Sequence, residues 1–228
     1  MTPIRNDTEV VRTYQITDQL SVDLTEIPRR VQFPTCPFCG DGNYWHVTWP
    51  TGVALARYLA APARKHTVAG KQVLVIGCGA GLEAIVLAKL GAVVSVLDHI
   101  PAALELVAHN CRRNHVDPVT FRPCCWRDAR ALRRLPTYEL VIGSDVLYDP
   151  VAARGVTRLL RAMLKPDGNA IIADPVRPFC TGAETFVRLM TSAGFQLTSR
   201  WIRHSADTRD SKAKLYLLAA SAFPRPQE

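Results

Sequence analysis

Residues Val73 to Ile76 form an unbroken apolar run that stops at Gly77-Cys78-Gly79-Ala80-Gly81 and passes directly into a helix-forming stretch, Leu82 to Leu90. An apolar run without alternation is the mark of a strand covered on both faces in a parallel sheet. Glycines at the junction let the backbone turn sharply and approach a ligand where a Cβ atom would block it. The pattern then repeats. A strand at Val93 to Leu97 leads to a helix at Ala102 to Asn114 and a short strand near Val119 to Arg122. Further on come a strand at Leu140 to Ser144, a helix at Ala152 to Leu164 and a strand at Ala170 to Ala173. A helix at Ala183 to Ala193 and strands near Gln196 to Trp201 and Lys214 to Ala220 complete the series. Strands alternating with helices of this length predict a doubly wound α/β sheet, whose ligands sit outside the carboxyl ends of the strands.

Asp98 closes the second strand, 17 residues beyond Gly81. A carboxylate at that tip can accept hydrogen bonds from the two hydroxyls of a ribose, so turn and acid together predict a nucleoside-bearing ligand. Two familiar site types fit poorly. No Gly-Lys-Ser/Thr follows the loop, which removes the lysine of a P-loop nucleotide site, and Leu82 stands where a dinucleotide fingerprint has its third glycine.

The 228 residues are enough for one sizeable core and too few for two enzymes. Ahead of the sheet, Val11 to Leu24 alternates loosely about Asp18-Gln19, predicting a β-hairpin, and Pro34 to Gly42 reads as loop. A short helix is expected around Val53 to Leu59. The expected division is an extension over 1–48, an α/β domain over 49–222 and a disordered tail over 223–228. Charged residues break every apolar run before the roughly 20 residues a membrane helix needs, and the polar N-terminus lacks a secretory core. Seven scattered cysteines read as reduced thiols, and a cytoplasmic protein is expected. The net charge of +8 is dispersed and reads as a solvated surface. Cys36-Pro37-Phe38-Cys39 has the spacing of half a zinc site, with His46 and Cys124 or Cys125 as conceivable partners. No second such pair completes it, so reactive thiols are preferred and no metal is assigned.

With the segment from Val73 to Asn114 in view, the chain resembles the seven-β-strand, class I S-adenosylmethionine-dependent methyltransferases, and more narrowly their protein-lysine branch. YWHVTWPTGVALARYL resembles that branch's tryptophan followed by a short helix, PCCWRD its tryptophan after the fourth-strand region, and SDVLYD its Asp-x-x-Tyr signature. ADPVRP is similar to a stretch of the subgroup related to electron-transfer-flavoprotein lysine methyltransferases. The resemblance implies a doubly wound, mostly parallel, seven-stranded Rossmann-like sheet with an N-terminal β-hairpin extension. It further implies that Gly77, Cys78, Gly79 and Gly81 bind the methionine part of S-adenosyl-L-methionine, that Asp98 holds its ribose, and that Trp126 lies beside its adenine. Trp49 would close over the cofactor, and Ser144 would contact it where the family more often has Ala or Gly.

Methyl transfer from a sulfonium is an in-line displacement, so a protein must chiefly align a neutral nucleophile and exclude water. Asp145, at the carboxyl edge of a buried strand, is expected to orient an incoming amine, with Tyr148 lining the lysine channel. Helix capping is the competing role for Asp145, but Asp149-Pro150 is better placed to cap the next helix. Asp174 and Arg177 would either line a substrate entrance or pair on the surface. The favoured acceptor is a lysine of a protein substrate, with histidine left open. The alternatives are a small-molecule N- or O-methyltransferase and, behind it, a nucleic-acid enzyme or a catalytically silent partner subunit. The Asn-Pro-Pro-Tyr/Phe-like tetrapeptide of base-amine enzymes is absent, with Ser144 to Tyr148 in its place.

Overall fold

The apolar run is strand β3 (Gln72–Ile76), the pivot of a seven-stranded sheet in the computed structural model, which describes residues 9–27, 44–65, 67–116, 119–175, 181–203 and 212–219. Successive side chains of a strand point to opposite faces. Val73 and Val75 accordingly join one buried cluster, and Leu74 and Ile76 join the other. On one side of β3 lie β4 (Val93–Asp98) and then β5 (Thr120–Pro123), all parallel. On the other lie β6 (Tyr138–Ser144) and β7 (Leu164–Asp174), also parallel. Beyond them β9 (Lys212–Ala219) runs antiparallel to both β7 and β8 (Gln196–Arg203), completing the order β5-β4-β3-β6-β7-β9-β8. The chain works outward from β3 through β4 and β5, then crosses back to β6. Strand order therefore reverses at β3, and the crevice beside its carboxyl end is where an open α/β sheet binds ligands.

Helices cover both faces, with two one-turn helices, α2 (Pro62–Lys65) and α5 (Ala129–Leu132), between the longer ones. Against one cluster pack α1 (Pro50–Ala60), α3 (Leu82–Lys89) and α4 (Pro101–Arg113), through Leu55, Leu59, Ile85 and Val107 among others. Against the other pack α6 (Pro150–Met163) and α7 (Gly182–Ser192), through Leu159, Leu160 and Phe186. Asp149 caps α6 as the sequence suggests: its Oδ1 accepts the Val151 and Ala152 amides, and Pro150 occupies the first turn. β7 is longer than the strand expected at Ala170 to Ala173. β7 starts at Leu164, and Lys165 to Gly168 interrupt its register with β6, so Pro166, Asp167 and Gly168 mask an element that begins before them.

β1 (Val10–Thr17) and β2 (Leu20–Glu26) form the expected antiparallel hairpin. It is docked onto the α/β layers. Val22, Leu24, Thr25, Glu26 and Ile27 are buried, and the outer edge of β2 is paired by two amides of α4. Asn110 accepts the Thr25 N–H at 2.8 Å and donates to the Thr25 carbonyl at 3.1 Å and the Ala80 carbonyl at 2.8 Å. Asn114, four residues on and hence on the same helix face, accepts the Asp23 N–H at 3.0 Å and donates to its carbonyl at 2.7 Å. Two side chains thus satisfy backbone groups that a neighbouring strand would otherwise cover.

Candidate active site

At the carboxyl ends of β3, β4 and β6 the crevice widens into a cavity of about 380 Å³. Its floor is the glycine turn. Gly77 and Gly79 have φ of 59° and 49°, left-handed conformations that disfavour a side chain. A Cβ at Gly77 would also come within 3.0 Å of Val146 Cγ1. Asp98, 4% exposed at the end of β4, accepts the Ile100 amide on Oδ1 at 3.0 Å. The Cys78 thiol donates toward its Oδ2 at 3.8 Å, and His99 Nδ1 lies 3.5 Å from Oδ1. Burial pushes the Asp98 carboxyl above its usual value, against the opposing pull of the Ile100 amide and His99. Burial also drives the Cys78 thiol well up, reinforced by the charges of Asp98 and Glu83, so it stands here as a neutral donor.

Trp126 fills the space beside this floor. It packs so closely on α6 that a Cβ at Gly155 would fall on its ring, and its outer edge reaches the cavity opposite His99, with ring centroids 6.2 Å apart. The front wall comes from the segment before α1. Trp49 donates Nε1–H to the Tyr44 carbonyl at 2.9 Å, and the Trp45 carbonyl lies 3.5 Å from where a Gly79 Cβ would stand. That wall is fastened by the hairpin: buried Glu26 accepts the Thr48 amide at 2.9 Å and the Tyr14 hydroxyl at 2.6 Å, with Arg12 Nε 3.2 Å from its other oxygen. Burial, then the bond to Glu26, pushes the Tyr14 hydroxyl up to about 12. The Ile27 amide adds a bond to the His46 carbonyl at 2.9 Å.

The far end is acidic. Ser144 and Asp145 end β6, and Asp145 adopts φ 55°, a left-handed turn that Asp tolerates better than most residues, while its amide donates to Ala173 O at 3.0 Å. Glu83, in the first turn of α3, is 7% exposed and accepts the Ser144 hydroxyl on Oε1 at 2.5 Å. Burial raises its carboxyl, as does the charge of Asp145, while the Ser144 hydroxyl opposes the shift. Tyr148 closes this end, half-buried.

A lysine methyltransferase family model matches residues 40–193, which include every wall of this cavity. The chain belongs to that family. Among similar proteins, the electron transfer flavoprotein beta subunit lysine methyltransferase of Danio rerio is 30% identical over 184 residues, covering 76% of this chain and 66% of that protein. The histone-arginine methyltransferase METTL23 of Xenopus laevis is 32% identical over 139 residues, covering 60% of this chain and 57% of that protein. The chain thus spans about two thirds or less of these relatives. The solved 16S rRNA N2 G1207 methyltransferase of Thermus thermophilus has the same fold at a TM-score of 0.64, with 16% identity over 96% of this chain and 52% of its own. Magnesium protoporphyrin IX methyltransferase of Synechocystis gives 0.57, with 22% identity over 81% and 88%.

In this member of the family, the ten residues assigned from sequence to the cofactor or the chemistry line the same cavity: Trp49, Gly77, Cys78, Gly79, Gly81, Asp98, Trp126, Ser144, Asp145 and Tyr148. Several also have partners that sequence did not suggest, among them Ser144, hydrogen-bonded to Glu83, and Trp126, seated on Gly155. Glu83 itself was missed. Its signal was there to read: one acid inside Leu82 to Leu87, an otherwise apolar stretch whose residues are all buried. Asp174 is 1% exposed, so it is not a surface residue, and it is not among the residues lining the cavity. Arg177, Cys36 and Cys39 lie outside the described residues. Among the described residues, no helix is long and apolar enough to cross a membrane.

Proposed function

We propose that the protein transfers a methyl group from S-adenosyl-L-methionine to the side-chain nitrogen of a lysine in a protein substrate. The observation that carries this reading is a single cavity in which the Gly77–Gly81 turn and buried Asp98 face Asp145 and Tyr148. A nucleoside with an amino-acid extension fits these residues. Asp98 supplies a buried acceptor for ribose hydroxyls, Gly77 and Gly79 form a cradle that Cβ atoms would obstruct, and Trp126 offers a ring edge for the adenine. When bound, S-adenosylmethionine supplies an electrophilic methyl group on a cationic sulfonium.

The remaining work falls to the chain. A lysine amine, whose ordinary pKa is near 10.4, must be neutral to react. Asp145 accepts hydrogen bonds from the incoming nitrogen and fixes its direction, and Tyr148 presents its ring and hydroxyl along the lysine stem. Trp49 and Trp45 keep water from the reacting atoms. The left-handed turn at Asp145 aims its carboxylate from the strand end and is held by the bond to Ala173. We assign residues 49–222 to the catalytic domain and residues 1–48 to an extension, whose hairpin fastens the front wall through Glu26. We place the protein in the cytoplasm, where Cys78, Cys111 and Cys124 remain thiols.

The test is tritiated cofactor added with the purified protein to lysate, followed by separation into protein, RNA and metabolite fractions. Label is expected in protein and, after hydrolysis, in methyllysine. Label confined to RNA or metabolites contradicts the reading. Methylarginine would favour the second acceptor that the similarity to METTL23 suggests.

A further inference from the structure

We propose that Glu83 is the anchor for the α-ammonium at the amino-acid end of the methyl donor. The proposal rests on the reading that the donor is S-adenosylmethionine, and it assigns to the cavity a residue beyond those that resemblance supplies.

Glu83 belongs to α3, whose buried face otherwise consists of Leu82, Ala84, Ile85, Val86 and Leu87. A carboxylate in such a setting carries a desolvation cost that only a cation or several hydrogen bonds can offset. The Ser144 hydroxyl donates one bond to it, and its own backbone amide adds a second favourable contact. Burial still leaves the carboxyl raised above its ordinary value, so these do not offset the cost in full. A cationic group seated against it would complete the compensation.

The position suits one end of the donor. The Cys78 thiol lies 3.8 Å from Asp98 Oδ2 and also feels the charge of Glu83, and all three line the same cavity. A ligand whose ribose is held at Asp98 and whose methionine part follows the glycine turn past Cys78 brings its amino-acid end to Glu83. The acceptor's side remains with Asp145 and Tyr148. Room for the carboxylate is made by Gly52 of α1, where a Cβ would stand 2.9 Å from Glu83 Oε1 and 3.3 Å from Ser144 Oγ. Ser144 at the end of β6 therefore orients the acid, and Gly52 admits it. Three segments distant in sequence converge on one polar group inside an apolar layer.

Calorimetry separates the ends of the ligand. S-adenosylhomocysteine carries the amino-acid end, and 5′-methylthioadenosine keeps the nucleoside and sulfur but lacks it. Glu83→Gln is expected to weaken S-adenosylhomocysteine by about tenfold or more while methylthioadenosine stays within about twofold, as loss of one charged hydrogen-bonding partner predicts. Equal weakening of both ligands, or of neither, overturns the assignment. Should the variant not fold, the unmodified protein supplies the second measurement. It should bind the deaminated analogue of S-adenosylhomocysteine about tenfold or more weakly than the parent, and equal affinity overturns the proposal. An unmodified protein that binds none of these ligands refutes the donor reading itself, a result distinct from the others.

Discussion

β4 ends on an aspartate and β6 is followed by one, and both face the same cavity, yet the two carboxylates are built differently. Asp98 is held mostly by its chain neighbours, the Ile100 amide two residues on and His99 beside it, with the Cys78 thiol of the glycine turn reaching its other oxygen. Asp145 owes its setting to distant segments, namely Ala173 of β7, which fixes its backbone, and Glu83 of α3, whose charge it feels. The first is a ready acceptor of hydroxyl hydrogens. The second shares its end of the cavity with another acid, an arrangement suited to cations. A donor whose neutral ribose sits at Asp98 and whose charged end points toward the acids, meeting the acceptor's nitrogen at Asp145, accounts for both.

The contrast breaks first if the two aspartates prove interchangeable in effect. Asp145→Ala should reduce methyl transfer by about a thousandfold while S-adenosylhomocysteine affinity stays within about threefold, read by radiolabel transfer and calorimetry on the same preparation. Undiminished turnover would remove Asp145 from the chemistry. Asp98→Ala should do the reverse, weakening S-adenosylhomocysteine by about a hundredfold through loss of two hydroxyl partners and an acceptor for Cys78. Retained affinity would dissolve the assignment of the ribose.

Asn110→Ala is expected to affect both ends together. The substitution leaves the Thr25 amide and two carbonyls without their partner and should lower stability by about 2 kcal/mol in urea unfolding. Because the hairpin fastens the front wall through Glu26, cofactor affinity and turnover should then fall in parallel. A variant that lost only turnover would show that the hairpin serves one end alone. The smallest effect is in pH. Asp98 and Glu83 both have carboxyls raised by burial, and the ionised forms are the ones that accept hydroxyl or ammonium hydrogens. The charged fraction falls as pH drops through these raised values, so S-adenosylhomocysteine affinity should decline on acidification, starting above the ordinary carboxylate range. Cys78, His99, Ser144 and Asp145 face these two acids. Glu83→Gln should make the decline shallower, and an unchanged slope would leave Asp98 as the sole titrating acid.

Much of this molecule was readable because its governing interactions are local or periodic. The apolar run of β3, the glycine turn and Asp98 lie within 27 residues, from Gln72 to Asp98, and their order alone implies a ligand. Asp149 and Pro150 identify the start of α6 for the same reason. The bond from Ser144 to Glu83 spans 61 residues and that from Asn110 to Thr25 spans 85, so neither leaves a pattern in any window of sequence. The early start of β7 was hidden by turn residues placed within a strand. The hairpin was legible as an element, but its docking onto α4 was not, because amides on a helix face read as ordinary surface until a strand edge is laid against them.

If this cavity takes the donor by its nucleoside and amino-acid ends together, titration of the unmodified protein with S-adenosylhomocysteine should show saturable one-to-one binding, tighter than that of 5′-methylthioadenosine. No heat at millimolar ligand, or equal affinity for the two compounds, contradicts that mode of binding.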